Sequence, residues 1–216
     1  MDIILHNYFR SSASYRVRIA LNLKKLEYEY RGVHLTRSGG EQHLPAFREL
    51  NPQALVPVLD HRGDRLTQSL AILEYIEEMW PKPALLPPTA FERARVRALA
   101  LVVACEIHPL NNLRVLHYLT GTLGATSDAK DEWYRHWVRT GLEALENELA
   151  DRGDTGEFCH GSTPTIADCC LIPQLFNARR FHCDLSPYPT LLAIERNCLA
   201  LAAFRDAAPE RQPDAE

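Results

Sequence analysis

A short proline-rich segment does most to limit what this chain can fold into. Residues 81–88 read PKPALLPP, with four prolines in eight positions. Proline has no backbone N–H and clashes with the preceding helical turn, so no continuous helix can cross this segment. We therefore expect a first domain over residues 1–80, a linker over 81–89 and a second domain over 90–216.

The first 80 residues alternate between strand-like and helix-like patterns. Apolar residues at helical spacing predict helices that begin near Ser11 and Ser69. The predicted strands are Ile3-Ile4-Leu5, a run through Tyr28, Tyr30 and Val33, Val56–Asp60, and a short strand near Leu66. An irregular helical stretch separates the second strand from the third. This order is too short for a doubly wound nucleotide-binding fold, and the sequence has neither GxGxxG nor GxxxxGK[ST].

Beyond the linker the sequence predicts only helices. Apolar residues recur at helical spacing over 91–119 and 130–150, and Pro109 is expected to kink the first of these helices. Thr165 and Asp168 have the spacing of a capping box at the start of another helix. The polar residues after Pro209 are expected to fray.

Composition excludes several functional classes. The net charge is -4, so no overall basic field favours nucleic acid. The N-terminus does not have the pattern of a signal peptide, and we expect no apolar stretch of the roughly 20 residues that span a bilayer. The six cysteines include no CxxC pair, which argues against a zinc or thioredoxin-type redox site. We expect a cytoplasmic protein with free thiols and no nucleic acid, membrane or metal partner.

Arg10 and a cluster of serines lie where the first predicted helix begins. The unpaired N–H groups and positive end of a helix favour an anion, and they would lower the pKa of a thiol bound there. The same residues also fit an ordinary N-cap beside a surface arginine.

A second pair of segments could bind an extended peptide. A proline that opens an edge strand can be cis, and Pro57 would then expose the backbone of Val56 for pairing. Gln68 and Ser69 offer an amide and a hydroxyl at a helix start, which suit a peptide carboxylate and amine. An ordinary edge-strand proline and an ordinary cap are the alternative.

Polar residues in the helical part need partners. His108, Asn111 and Asn112 interrupt an apolar helix, which predicts either a ligand cleft or an interhelical hydrogen-bond network. Arg179 and Arg180 cannot share one helical face, so at most one is expected to point inward. An inward arginine would bind a carboxylate bidentately, whereas a solvated pair is the alternative.

Together these stretches resemble the zeta class of glutathione transferases, which includes maleylacetoacetate isomerases and bacterial maleylpyruvate isomerases. The landmarks run in order along nearly the whole chain: YFRSSASYRVRIAL (8–21), LNP (50–52), VP (56–57), QSLAI (68–72), HPLNN (108–112), Asp168, Pro173-Gln174, Arg180-Phe181 and DLSPYP (184–189). The class pattern Ser-Ser-Cys-Ser has Ala13 in place of the cysteine here. This departure argues against side reactions that use the cysteine, and it bears less on the isomerisation, for which the serine is the residue that the class requires.

The resemblance implies a thioredoxin-like N-terminal domain with a mixed four-stranded sheet, an all-helical C-terminal domain, a homodimer and glutathione as cofactor. It implies cis–trans isomerisation of a small dicarboxylic keto acid, from maleylacetoacetate or maleylpyruvate to the fumaryl product. By position, Ser11 would donate to the glutathione sulfur. The other glutathione contacts would be Ser12, Val56, Pro57, Gln68, Ser69, His108 and Asn112. The substrate carboxylates would be gathered by Arg10, Arg114 and Arg180.

Two other functions remain open at this level. One is a general glutathione transferase that conjugates electrophiles; three arginines at the site favour an acidic substrate instead. The other is a non-catalytic binding module of the same architecture; the joint retention of Ser11, Gln68, Ser69 and His108 argues against it. The stretch from His108 to Arg114 looks closer to the maleylpyruvate isomerases than to the animal maleylacetoacetate isomerases.

Overall fold

The computed structural model describes residues 2–216, which divide into two compact units. The first unit holds the residues up to Leu85 together with Leu199–Glu216, and the second holds Leu86–Cys198. One boundary falls inside the proline-rich segment. The sequence places residues 199–216 in the helical domain, whereas in the structure they pack with the first unit.

The first unit follows the predicted order of strands and helices. Its elements are β1 (Ile3–Asn7), α1 (Ser12–Leu23), β2 (Glu29–Gly32), α2 (Pro45–Leu50), β3 (Val58–His61), β4 (Asp64–Thr67) and α3 (Ser69–Met79). Short 3-10 turns at Arg37–Gly39 and Glu41–His43 form the irregular stretch between β2 and α2.

The strands form one mixed sheet in the order β2-β1-β3-β4. β1 and β2 are parallel, and β3 is antiparallel to both β1 and β4. Val58 pairs with His6 on one side and with Thr67 on the other. β3 is therefore an interior strand, which corrects the expectation that Pro57 opens an edge strand.

Apolar residues of the strands and of the two long helices make the core of this unit. The side chains of Leu5 and Leu59 pair across β1 and β3, and both are fully buried. α1 packs against α3. The fully buried residues of these helices are Val17, Ile19, Ala20, Leu21, Ile72, Leu73 and Ile76. Their spacing is the one expected of helices with one face against a sheet.

A buried ion pair ties the proline-rich segment to the first unit. The Lys24 ammonium donates to the Glu77 carboxylate at 2.5 Å and to the carbonyl oxygens of Trp80 and Pro83 at 2.6 Å each. Glu77 also accepts from the Leu85 N–H at 2.9 Å. A buried ion pair needs such additional hydrogen bonds, and here they hold the chain in the first unit as far as Leu85.

The second unit is helical, as predicted. Its helices are α4 (Ala90–Leu101), α5 (Leu113–Gly121), α6 (Ser127–Ala150), α7 (Ile166–Arg180) and α8 (Pro189–Ala200), the last of which runs just past the boundary. Between α4 and α5 the backbone passes through a π-helical turn at Val102–Ile107 and a 3-10 turn at Pro109–Asn111. The expected interruption at Pro109 is confirmed.

By length and composition alone, the stretch Ala90–Gly121 could cross a membrane. The expectation that the chain has no such stretch is therefore wrong. Core helices of water-soluble proteins pass the same test, and Pro109 interrupts this one. The stretch is accordingly weak evidence for a membrane span.

The segment after α8 is ordered, and this corrects the expectation that its residues after Pro209 fray. It forms α9 (Ala202–Asp206) and a 3-10 turn at Pro209–Arg211. The Gln212 side-chain amide then donates to the carbonyl oxygens of Asp206 and Ala208, both at 2.9 Å. These bonds fix the backbone direction of the residues that follow.

The six cysteines are free thiols, as expected. Cys105 is exposed and Cys183 is half-buried. The buried ones are Cys159, Cys169, Cys170 and Cys198. Burial raises the pKa of the Cys159 and Cys198 thiols, so these two stay protonated and unreactive at neutral pH.

The predicted capping box at the start of α7 is present and buried. The Asp168 carboxylate accepts from the Thr165 N–H and hydroxyl at 2.7 Å each and from the Cys159 N–H at 2.8 Å. A similar box at the start of α4 pairs Thr89 with Glu92, but it is exposed. The two boxes differ mainly in burial.

We expect Asp168→Ala to lower the free energy of unfolding by about 3 kcal/mol, because a cap is lost and buried donors are left without a partner. Urea unfolding measures the change. The control is Glu92→Ala, which removes the exposed box and is expected to lower stability much less than Asp168→Ala, because water replaces the lost hydrogen bonds. Equal losses in the two variants would contradict the role of burial.

Candidate functional site

The sheet brings three segments to one of its edges. The pairing of His6, Val58 and Thr67 aligns the carboxyl ends of β1 and β4 with the start of β3. The turn after β1, the segment before β3 and the start of α3 therefore lie at the same edge. These are the first-unit segments that the sequence selected as candidate binding residues.

Ser11 caps α1 at this edge. Its backbone is extended, with φ -68° and ψ 116°, and its Oγ accepts from the Ser14 N–H at 3.2 Å. A hydroxyl that accepts in this way keeps its own proton for donation. Ser12 follows as the buried first residue of α1, whose first turn contains no acidic side chain. The cap predicted from the sequence and an anion site are thus compatible.

The buried Arg18 side chain is hydrogen-bonded to the turn before Ser11. Its guanidinium is fully buried and donates to the carbonyl oxygens of Tyr8 at 3.3 Å and Phe9 at 2.8 Å, and to Asn7 Oδ1 at 2.9 Å. Burial lowers the pKa of Arg18 from its ordinary value. Sequence reasoning missed this residue. The sequence did contain a signal for it: Arg16 and Arg18 lie two positions apart within the otherwise apolar stretch of α1, where buried arginines need hydrogen-bond partners.

Arg10 lies on the other side of the same turn. Its Nε and Nη2 donate to the Tyr8 hydroxyl at 3.3 and 2.9 Å, and its guanidinium lies 5.1 Å from the Phe9 ring centre. Arg10 is half-buried. The aromatic contacts fix the guanidinium at the sheet edge without neutralising its charge.

The segment before β3 carries a cis peptide bond between Val56 and Pro57, as predicted. Asn51 Nδ2 donates to the Leu55 carbonyl oxygen at 2.8 Å and fixes the approach to this bond. Because the strand register begins at Val58, Val56 lies beyond the pairing of both neighbouring strands. Its backbone is placed where an extended peptide could pair with it.

Gln68 and Ser69 lie where α3 begins. Gln68 has φ 68°, an uncommon conformation for a residue other than glycine, and such conformations cluster at ligand sites. Its side-chain amide donates to Gln53 Oε1 at 3.2 Å. Ser69 Oγ accepts from Nη1 of the buried Arg16 at 3.1 Å. Arg16 therefore turns the Ser69 hydroxyl into a donor, a role that sequence reasoning also missed.

In the second unit, α6 holds the interrupted stretch around Pro109. Trp133 Nε1 donates to the Leu110 carbonyl oxygen at 2.8 Å, and Asn111 Nδ2 donates to that of Tyr134 at 3.4 Å. An interhelical hydrogen-bond network, one of the two predicted alternatives, is therefore present for Asn111.

The other polar residues of this stretch are differently placed. His108 ends the π-helical turn and is half-buried. Asn112 caps α5, where its Oδ1 accepts from the Arg114 N–H at 3.2 Å. The Arg114 side chain is exposed. The side-chain amide of Asn112 and the guanidinium of Arg114 are among the donors that this stretch offers to a ligand.

Arg179 and Arg180 diverge at the end of α7. Arg179 forms a bidentate pair with Glu195 at 2.5 and 2.6 Å. Arg180 is exposed; it donates to Asn177 Oδ1 at 3.1 Å and lies over the Phe181 ring. Arg179 is thus committed to a structural ion pair with Glu195, whereas the Arg180 guanidinium is exposed to solvent at the end of α7.

No group of three or more His, Cys, Asp or Glu side chains within residues 2–216 is arranged to hold a metal ion. The side chains that the first unit presents at this edge are hydroxyl, amide and guanidinium groups, which bind anions and carboxylates.

Family models and individual proteins both match this chain. The model of the glutathione S-transferase N-terminal domain matches residues 1–78, and that of the C-terminal domain matches residues 128–196. A probable maleylacetoacetate isomerase of Vibrio cholerae is 54% identical over 215 residues, which cover 100% of this chain and 99% of that protein.

Solved structures match as well. The holo structure of a maleyl pyruvate isomerase, described as a bacterial glutathione S-transferase in the zeta class, superimposes with a TM-score of 0.96 at 50% identity, covering 99% of this chain and 100% of that one. The maleylacetoacetate isomerase of Methylobacterium extorquens AM1, solved with bound malonate and GSH, gives 0.94 at 43% identity, covering 99% of each.

These matches confirm the thioredoxin-like first domain with a mixed four-stranded sheet and the helical second domain. They extend over both domains and nearly the full length of the chain at about half identity. The chain belongs to the glutathione transferase family, as a member of its zeta class.

Proposed function

We propose that this protein is a glutathione-dependent isomerase that converts the maleyl group of maleylacetoacetate or maleylpyruvate to the fumaryl form. The observation that carries the proposal is Ser11, which caps α1 while keeping a hydroxyl proton to donate at the sheet edge. The relatives named as isomerases of these two substrates support it.

The residues at this edge fit glutathione. Val56 offers a backbone beyond the strand register for a peptide, and the Ser69 hydroxyl, turned into a donor by Arg16, suits its γ-glutamyl carboxylate. Gln68 precedes Ser69 in the chain, and the family resemblance assigns the remaining glutathione contacts to Ser12, Pro57, His108 and Asn112. A solved relative with bound GSH supports this assignment.

When bound, glutathione supplies a thiolate whose reversible addition turns the double bond into a single bond that can rotate. Free thiols have a pKa near 8.5, so at neutral pH the site must lower it. The Ser11 hydroxyl and the N–H groups at the start of α1 favour the charged sulfur through hydrogen bonding and the helix dipole.

Three arginines hold the acidic substrate. The resemblance assigns Arg10, Arg114 and Arg180 to the substrate; guanidinium groups bind carboxylates bidentately and stabilise charge that develops on the substrate oxygens. Holding the carboxylate still while the middle of the substrate turns also lowers the entropic part of the barrier. Malonate bound in one relative supports an acidic substrate.

The remaining assignments come from the family. We propose that the protein works as a homodimer in the cytoplasm, as the resemblance implies. Glutathione binds mainly to the first domain, which the sequence placed at residues 1–80 and which in the structure also includes Leu199–Glu216. Sedimentation of the purified protein at several concentrations tests the dimer.

We expect Ser11→Ala to lower kcat/KM with maleylpyruvate about ten-fold or more at neutral pH, as for the loss of one donor to a charged transition state. Because the bound thiol then has a higher pKa, the rise of kcat/KM with pH moves to higher pH. Stopped-flow absorbance of the fumaryl product measures both.

The control is Ser127→Ala, an exposed serine at the start of α6. It is expected to leave the rate and the pH profile unchanged. Thermal unfolding of both variants separates loss of the N-cap from loss of catalysis. A Ser11→Ala enzyme with the wild-type pH profile would argue against the proposed role.

We expect Arg180→Ala to raise KM for a maleyl dicarboxylate about ten-fold, as for the loss of a charge-assisted hydrogen bond, and to change KM for a neutral aryl halide little. Arg179→Ala removes the same charge one residue away and is the matched control; it is expected to lower stability without changing the ratio of the two KM values. An equal rise for both substrates in Arg180→Ala rules out a carboxylate clamp and favours a general transferase.

A further inference from the structure

A carboxylate near the end of the chain contacts the turn that carries Ser11. Asp214 Oδ2 accepts a hydrogen bond from the Phe9 N–H at 3.3 Å, across a separation of 205 residues. The other oxygen, Oδ1, accepts from the Tyr30 hydroxyl. Burial and then this hydrogen bond raise the pKa of Tyr30 well above its usual range, so its hydroxyl stays a donor.

The position of Asp214 is closely defined. The Gln212 side chain anchors the backbone just before it, and the Ala215 N–H donates to the Gln212 carbonyl oxygen at 3.1 Å. Gly32, at the end of β2, leaves room for the carboxylate, because a Cβ there would come within 3.3 Å of Asp214 Oδ2. A longer side chain at position 214 would have to displace one of these neighbours.

Both backbone polar groups of Phe9, the N–H and the carbonyl oxygen, are hydrogen-bonded to side chains. Its carbonyl oxygen accepts from Arg18, whose Nε also donates to the Ala207 carbonyl oxygen at 3.0 Å, and its N–H donates to Asp214. The Ser11 N–H in turn donates to the Tyr8 carbonyl oxygen at 3.0 Å. A shift of Phe9 would therefore move Ser11, the residue proposed to donate to the glutathione sulfur.

We propose that Asp214 is a positioning residue that holds the turn from Tyr8 to Ser11 in the conformation that stabilises the bound thiolate. This inference rests on the proposed function of Ser11. For the pKa of the bound thiol, a positioning role and a purely electrostatic role of Asp214 predict opposite shifts when Asp214 is removed. A negative charge near the site would raise the pKa of the bound thiol, so its removal would lower that pKa, whereas loss of positioning raises it.

Three variants separate position from charge. Asp214→Asn removes the charge but keeps an oxygen for the Phe9 N–H. Asp214→Glu keeps the charge but displaces the carboxylate by one methylene, and Asp214→Ala removes both. Glu216→Gln is the control in the same segment, because the exposed Glu216 carboxylate contacts the side chains of Arg37 and of the buried His34 instead of the Phe9 backbone.

The readouts are kcat and KM for maleylpyruvate, the pH profile of kcat/KM, and the pH titration of bound glutathione by thiolate absorbance. We expect Asp214→Glu and Asp214→Ala to lower kcat about ten-fold and to move the pH profile and the thiol titration to higher pH, since small displacements of catalytic groups have large effects on rate. Asp214→Asn and Glu216→Gln are expected to stay within about two-fold of wild type, as expected for substitutions that leave the positioning contact in place.

Three results overturn the inference: a wild-type titration in Asp214→Glu, a shift to lower pH in Asp214→Ala, or an Asp214→Asn enzyme as impaired as Asp214→Ala. If Asp214→Ala does not fold, the comparison of Asp214→Asn with Asp214→Glu still decides. A wild-type protein that fails to lower the pKa of bound glutathione overturns the proposed function together with this inference. A wild-type protein that does lower it, with all variants alike, overturns the inference alone.

Discussion

The buried guanidinium of Arg18 is the interaction on which the rest of the site depends. It is the common donor to the carbonyl oxygens of Tyr8 and Phe9, to the Asn7 side chain and to the backbone at Ala207. A buried charge is costly unless its donors are matched, so these acceptors and the guanidinium require each other. The turn after β1 is consequently rigid, and rigidity is what a preorganised site for a charged sulfur needs.

Strand register then decides which residues can meet. The single alignment of His6, Val58 and Thr67 places the residues after β1, before β3 and after β4 at one edge. Two helices begin at this edge, and each contributes a serine and the positive end of its helix dipole. An arginine in the second turn of one helix donates to the serine of the other, so the two starts act as one surface.

The parts predictable from the sequence are those set by local chemistry. Serines before an apolar helical pattern predicted the cap at Ser11, and Thr165 with Asp168 predicted the box at α7, because both depend on neighbours within a few residues. Arg16, Arg18 and Asp214 could not be found in this way. Arginine and aspartate are expected at the surface, and their partners lie far along the chain or on another element, where spacing carries no information. The same reason explains the wrong expectation for the last residues. Their sequence is polar, and it does not show that the Gln212 side chain donates to the carbonyl oxygens of Asp206 and Ala208.

The first unit is discontinuous in the chain, since Ala207 and Asp214 belong to it although residues 86–198 form the other unit. During synthesis on the ribosome, the early strands emerge long before these two partners do. The turn from Tyr8 to Ser11 therefore lacks its contacts with Ala207 and Asp214 while the residues of the helical unit are synthesised. The unit that is translated first is thus the one that is completed last. A gene truncated at the proline-rich segment would encode a first unit without residues 199–216.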